Sequence, residues 1–340
     1  MKKTVALLLI IGVFTFAFKA TELLPFTVPA NFPKPVYDFS KNPLTGEKIQ
    51  LGRALFYDPI LSRDNTISCA SCHGQYSGFT HIDHALSHGI DNKTGTRNAP
   101  ALMNLAWQTS FMWDGAVHHL DMQALAPMSN PDEMGETIAH VVQKLQQSNI
   151  YPALFYKAFG DSLVTGEHTL KAISQFMLTL VSADAKYDSV MRRQAHFTTQ
   201  EENGYRLFQQ NCGSCHKEPL FTNNQFENNG MPIDTTLNDF GRMKVTNDSA
   251  NALQFKVPTL RNIEFSYPYM HDGRFKRLSE VLKHYTSGIR PSKTLSKQLQ
   301  KPIVLSSNEK VDLIAFLLTL SDKNFLYNLD YSYPKNILHY

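Results

Sequence analysis

The chain of 340 residues is 42% apolar and 19% charged, carries a formal charge of +3 and contains four cysteines. That length suggests two domains, each able to bury its own core. Seventeen glycines and seventeen prolines exclude collagen-like and low-complexity chains, and a single long apolar run excludes a polytopic membrane protein. Lys2, Lys3 and Lys19 belong to a leader, so the remainder is near neutral and lacks the basic stripe a nucleic-acid partner requires.

Residues 1–20 read as a signal peptide. Met1-Lys2-Lys3 precedes a fourteen-residue apolar run from Val5 to Phe18, shorter than the ~20 residues of a membrane span. Cleavage is expected after Ala20. Phe18 is a poor residue at the −3 position, which keeps an uncleaved N-terminal anchor as the alternative. Export is expected either way. Residues 21–43, with five prolines and few charges, read as an extended arm.

All four cysteines fall in two strings, Cys69-Ala70-Ser71-Cys72-His73 and Cys212-Gly213-Ser214-Cys215-His216. C-x-x-C-H is the attachment signature of c-type haem: two thiols add across the porphyrin vinyl groups, and the adjacent His supplies a nitrogen to the iron. A disulfide scaffold would scatter its cysteines along the chain. A single zinc site would have to join two knuckles 143 residues apart. Two covalent haems are the expected cofactors.

The two halves repeat each other beyond these strings. Gly52-Arg53-Ala54-Leu55-Phe56 echoes Gly204-Tyr205-Arg206-Leu207-Phe208, and Pro100-Ala101-Leu102-Met103-Asn104 echoes Pro258-Thr259-Leu260-Arg261-Asn262. Thirteen residues after each proline stand Trp113-Asp114-Gly115 and His271-Asp272-Gly273. The second copy carries about 15 extra residues, assigned to the polar loop 223–251. Apolar spacing of helical period predicts helices over 133–159, 167–193 and 308–320, with a capping box at Thr199-Gln200-Glu201-Glu202 ahead of the second string. Strand signals are scarce. The expected fold is mainly α: two tandem cytochrome c-like domains over 44–195 and 196–325, each with one covalent haem, and a tail over 326–340. The aromatic tail should pack against a domain or against the partner in a homodimer.

The ordered set of strings resembles the bacterial di-haem cytochrome c peroxidases over roughly residues 40–325. Arg97-Asn98-Ala99-Pro100, Trp113-Asp114-Gly115, Phe255 through Asn262 and Pro268 through Gly273 all look like that family's blocks. The resemblance implies a periplasmic enzyme that reduces hydrogen peroxide with electrons from a small cytochrome c or cupredoxin. It makes the first haem (Cys69, Cys72, His73) peroxidatic and the second (Cys212, Cys215, His216) the electron-transfer site. Trp113 stands at the family's tryptophan between the haems, where the alternative is mere packing. Gln123 and Glu133 stand at its distal-pocket positions, suited to orienting peroxide and moving its proton.

Three further roles follow from the same resemblance. His88, in Ser87-His88-Gly89, matches the loop histidine that caps the resting peroxidatic iron; His81 and His84 are its rivals. Tyr285 occupies the place where the usual peroxidases ligate the second iron with Met, and a related branch, the di-haem enzyme maturing methylamine dehydrogenase, uses Tyr there. Met270 and His284 are the alternatives at that iron. This departure keeps a second reading open, oxidation or maturation of a protein substrate, alongside a third, a non-catalytic di-haem electron carrier. Finally, Asn98 with the carbonyls of Ser266 and Pro268 match the family's calcium site, all oxygen donors as Ca²⁺ prefers.

Overall fold

The computed structural model describes residues 22–82 and 84–338. The expected leader lies outside the described residues. Helices dominate, and the two-residue strands Phe226–Glu227 and Phe255–Lys256 form one antiparallel pair. Among the described residues no helix is long and apolar enough to cross a membrane.

Two helix pairs organise the chain, and a glycine permits each crossing. The helix Gly46–Tyr57 crosses Gly166–Thr179, and Thr199–Asn211 crosses Ser307–Leu318. A Cβ on Gly52 would lie 1.9 Å from the carbonyl oxygen of Ala172, and one on Gly204 would lie 1.9 Å from that of Asp312. The two glycines are repeat equivalents, so the sequence echo ahead of each haem string encodes a backbone-to-backbone contact. Around the first pair gather Leu51, Leu55, Phe56 and Phe176; around the second, Phe208, Phe221, Leu313 and Phe316.

The asparagines of the repeated P-x-L-x-N strings have equivalent tasks. Both adopt the left-handed conformation, Asn104 at φ 56° and Asn262 at φ 58°. Asn104 donates its N–H to Leu180 O (2.8 Å), and its side chain holds both backbone groups of Ser182. Asn262 donates to Leu320 O (3.0 Å) and accepts from Asp322 N (2.7 Å). The clamped segments then bond each other, Ser182 Oγ donating to the Asp322 carboxylate at 3.0 Å. The two halves thus join through corresponding points.

The helix boundaries differ from the periodicity. The first expected stretch splits into Ile138–Gln147 and Tyr151–Phe159, and the second into Gly166–Thr179 and Lys186–Met191. Pro152 fits a new first turn after the first break. Asn104 and Asp322 hold 180–184 extended at the second. The capping box is shifted by one residue: Thr198 is the N-cap and exchanges bonds with Glu201, because Thr199 is already helical. The 307–318 helix appears as expected.

The segments flanking the repeats are docked. The arm 22–43 packs Phe32 on Trp107 (ring centroids 5.0 Å), whose indole N–H donates to Pro33 O at 2.7 Å. The tail returns to the first half: Phe325, Leu326 and Leu338 are buried in its core, and Arg53 Nε donates to Ser332 O at 2.7 Å. A fully buried ion pair, Arg261 with Asp188 (2.7 and 2.8 Å), ties the second string to the 186–191 helix.

Gly52→Ala and Gly204→Ala test the crossings. Alanine favours a helix over glycine by about 1 kcal/mol, but neither carbonyl can rotate away, so the helices must part. Each variant should lose about 1–3 kcal/mol net, as overpacked cores do, measured as a lowered denaturation midpoint.

Candidate functional site

Each C-x-x-C-H string presents its histidine in the same way. Cys69–Cys72 makes a single helical turn, started by Ser68 and Ser71 bonding each other, and His73 closes it by donating its N–H to Cys69 O at 2.9 Å. The His73 Nδ1 lies 2.8 Å from Phe79 O. A carbonyl only accepts, so Nδ1 carries the proton and Nε2 keeps its lone pair. In the second string His216 Nδ1 lies 3.2 Å from Phe221 O and 3.1 Å from Pro258 O. Phe79 and Phe221 both have positive φ, 59° and 55°, which turns each carbonyl back onto its imidazole. Desolvation holds the His73 imidazole down to about 4 and lowers that of His216. Both histidines are therefore neutral, as an iron ligand must be.

The cysteines are unpaired, and desolvation pushes Cys69 and Cys212 up to about 12 and Cys72 up to about 11. Unionised thiols are inert toward casual oxidation yet available for covalent attachment. Among the described residues no three His, Cys, Asp or Glu side chains converge to hold a metal ion, which sets the shared zinc site aside.

The second string opens on a cavity of about 230 Å³ with a mostly apolar wall. Its lining brings Cys212, Cys215 and His216 together with Tyr285 and Met270. Thiols, a neutral imidazole, an apolar wall and an oxygen or sulfur donor are what a ligated porphyrin needs, so the residues fit the group. Tyr285 sits in a π-helical turn, His284–Gly288, a local widening that often marks a functional position. Desolvation pushes its hydroxyl up to about 12, opposed by the Asn229 side chain. His284 turns away, its Nε2 lying 3.0 Å from Asn229 O. Asn229 also donates to Met270 Sδ (3.5 Å). One asparagine thus touches all three candidates, and sequence reasoning missed it.

Around the first string, Glu133, Cys72 and His88 converge. The Glu133 charge bears on the Cys72 thiol, whose Sγ is 3.7 Å from His88 O. Glu133 O accepts from Ile90 N at 2.8 Å, and a Cβ on Gly89 would come within 2.5 Å of that same oxygen. Gly89 is what lets the histidine loop lie against the carboxylate segment. The His88 ring itself contacts His84 (centroids 4.5 Å) and Asn92 (3.2 Å), with His81 5.8 Å beyond His84. Gln123 is buried and donates to Met112 Sδ at 3.7 Å. Desolvation raises the Glu133 carboxyl, partly offset by the amide of Asn130 at 2.8 Å.

Trp113 stands at the seam between the halves. Its indole N–H donates to Asn98 O (2.8 Å), its ring meets His271 edge-on at 6.5 Å, and it lines the second cavity. Trp113 and His271 occupy equivalent turns, each following a Met with positive φ and each closed by a glycine, Gly115 or Gly273. Asn98, Ser266 and Pro268 share a wall of that cavity. Beside them Arg97 bridges Asp114 (2.6 Å) and Asp239 (2.6 and 2.9 Å). Although burial opposes it, Arg97 holds the Asp239 carboxyl down to about 2. Asp239 lies in the extra polar loop, so that insertion is a clamp across the seam.

Comparison with known proteins identifies the family. A family model described as di-haem cytochrome c peroxidase matches residues 46–196. The chain is 37% identical over 307 residues to the methylamine utilization protein MauG of Methylorubrum extorquens, covering 87% of this chain and 83% of that one. It is 33% identical over 299 residues to the cytochrome c551 peroxidase of Nitrosomonas europaea, covering 86% of each. This chain belongs to the di-haem cytochrome c peroxidase family. A solved structure of a MauG-like protein associated with microbial copper homeostasis superposes with a TM-score of 0.83 at 30% identity, covering 92% of this chain and 99% of that one. Family membership implies two c-type haems, and the two cradles are where this chain can hold them.

Glu133 gives the site a pH signature. Its raised pKa means that this carboxyl binds more protons in the folded than in the unfolded chain above about 4.5, so its own contribution to stability falls as pH rises through that window. Glu133→Gln should remove this loss, gaining stability relative to the parent at pH 7 and little at pH 4, as read from urea midpoints. On the expectation that Glu133 moves the peroxide proton, the same variant should reduce peroxide turnover by about 10²–10⁴-fold, the usual worth of a general acid–base group.

Proposed function

We propose that this chain is a periplasmic peroxidase reducing hydrogen peroxide to water, with electrons drawn from a small cytochrome c or cupredoxin. The observation that carries the reading is the carboxyl of Glu133 held, desolvated and with raised pKa, beside Cys72 and the His88 loop. Haem, when bound, supplies the redox chemistry. The chain's own residues supply the proton. Glu133 takes it from the inner peroxide oxygen and returns it to the outer one, so that the departing oxygen leaves as water. Gln123 orients the bound oxygen through its amide. Two electrons and two protons per peroxide balance the reaction, giving two waters.

In this reading the two repeats, 44–195 and 196–325, are two copies of one haem-binding unit with separate tasks. Cys69, Cys72 and His73 hold the peroxidatic haem. Cys212, Cys215, His216 and Tyr285 would hold the electron-transfer haem, and Trp113 would relay electrons between the two sites. A calcium ion at Asn98, Ser266 and Pro268 braces the seam. The signal peptide at 1–20 delivers the chain to the periplasm.

His88 would gate the first site, holding the haem iron there in the resting protein and releasing it when the second haem is reduced. The loop can rearrange because Gly89 and Gly95 flank its hairpin. His88→Ala should turn over peroxide without prior reduction. Spectra of the oxidised and half-reduced protein, each mixed with peroxide, test this directly, and a variant that still requires reductive activation overturns the gate.

A second reading, oxidation of a protein substrate, is favoured by Tyr285 on the cavity wall. An anionic phenolate stabilises ferric iron relative to a thioether, so Tyr285→Met should raise the second haem's potential. Spectropotentiometry checks the sign. A strongly positive potential in the parent protein excludes Tyr285 ligation.

A further inference from the structure

Lys256 is a cation with no anion of its own, set in the wall of the second cradle. It ends the strand Phe255–Lys256, and its backbone N–H donates to Trp113 O at 2.7 Å. The ammonium reaches across the seam to Gln108 Oε1 and Ser110 O (2.9 Å), with the Phe111 ring centroid 5.8 Å away. Both acceptors are neutral. At the seam Asp114 and Asp239 are already held by Arg97, and Glu227, on the same cavity wall and the paired strand, accepts from Ser296 Oγ. Among the described residues no carboxylate pairs with Lys256. Desolvation alone takes its pKa from 10.5 to about 7.

An ammonium has three N–H donors, and two are used here. A desolvated charge without a counter-charge is among the most costly groups a fold can contain. Lys256 lines the cavity that holds Cys212, Cys215 and His216, and of the described residues on that wall it is the one Lys or Arg. It stands two residues before Pro258, whose carbonyl fixes His216 Nδ1. A porphyrin of the haem type carries two propionate carboxylates that need partners wherever they are buried.

We propose that Lys256 is the counter-ion of a propionate of the porphyrin in the second cradle. This rests on the two-haem reading above. The third N–H of the ammonium takes the carboxylate, while Gln108 and Ser110 hold the amine at the seam. Lys256 is thus a positioning residue: it fixes one propionate beside the Trp113 backbone and offsets a negative charge that would otherwise stabilise ferric iron.

The test is spectropotentiometry of the full chain, produced in a host competent for haem attachment, with haem content measured first. Lys256→Gln keeps N–H donors for Gln108 and Ser110 but loses the charge; its second haem should shift to a more negative potential. Lys256→Arg keeps the charge and should retain the parent potential, with a displaced propionate bending band in resonance Raman spectra. A Lys256→Gln protein with both haems and an unshifted potential overturns the proposal and leaves Lys256 as a bolt between the halves. Should Lys256→Gln fail to fold, an unmoved propionate band in Lys256→Arg overturns it equally. A parent protein without attached haem instead refutes the underlying two-haem reading.

Discussion

The same interaction, a backbone carbonyl accepting from a buried neutral imidazole, sets His73 in one half and His216 in the other. Each is fixed through Nδ1 to a backbone carbonyl, so its free Nε2 and its orientation are set before any iron arrives. The carbonyl can point back only because Phe79 and Phe221 adopt positive φ, a costly conformation for an aromatic residue. Tight packing must therefore over-determine those two residues. Phe79 and Phe221 are both completely buried. Phe221 is braced by Tyr187 and Phe208, Phe79 by Phe56 and Phe325. The glycine-mediated helix crossings place Phe56 and Phe208 within reach. The orientation of each imidazole is thus a consequence of core packing, transmitted through a strained backbone.

A second constraint is electrostatic and belongs to the seam. Arg97, Asp114, Asp239, Arg242 and Lys256 meet there with Trp113, His271 and Phe255, the last two stacked 3.7 Å apart. Bringing so many charges together is tolerable because the carboxylates are paired by Arg97 and the aromatic rings shield the guanidinium groups, Arg242 lying 3.8 Å over Phe226. The carboxylates of the seam are thus paired, while Lys256 is left with neutral acceptors only. The second copy's longer loop supplies part of this clamp, since it carries Asp239 and Arg242, which bond Arg97 and Asp114 O of the first half.

What could be read from the residues was the part of the chemistry that depends on local spacing. Thioether attachment forces C-x-x-C-H, and each repeated string, from Gly52 to Asn104 and from Gly204 to Asn262, performs one local operation twice. The positions that stayed hidden act at long range. Arg97 and Asp239 are 142 residues apart, and Asn229 looks like any loop asparagine until Met270, His284 and Tyr285 surround it. Lys256 inside a matching block reads as an ordinary charge, because spacing does not reveal that its only acceptors are neutral. The helix over-extensions have the same origin. Periodicity continues through 180–184, but the tertiary bonds from Asn104 and Asp322 compete with the helical ones and win. Register with the family put Tyr285 ahead of Met270 and His284 as the candidate at the second iron; in the fold Tyr285 and Met270 both line the cavity, while His284 turns to Asn229 O.

The two cradles differ in how much of the chain each requires. Phe221 is packed by Tyr187, Phe208 and Phe316, all within or adjoining its own half. Phe79, by contrast, leans on Phe325 (5.7 Å) and Tyr331 (6.4 Å), while Gln75, just beyond the first string, donates to Asn328 O at 2.7 Å. The proximal wall of the first site is therefore finished by residues 325–331, after the whole second half has been traversed. The carbonyl that sets His73 is only as rigid as that returning segment. Since Asp322 is itself held by Asn262 and bonded to Ser182, the second half's own clamp anchors the brace. Order in the second unit is thereby a structural condition for a well-formed first one. The second unit leans back in turn, since Tyr187 of the 186–191 helix meets Phe221 edge-on at 4.8 Å.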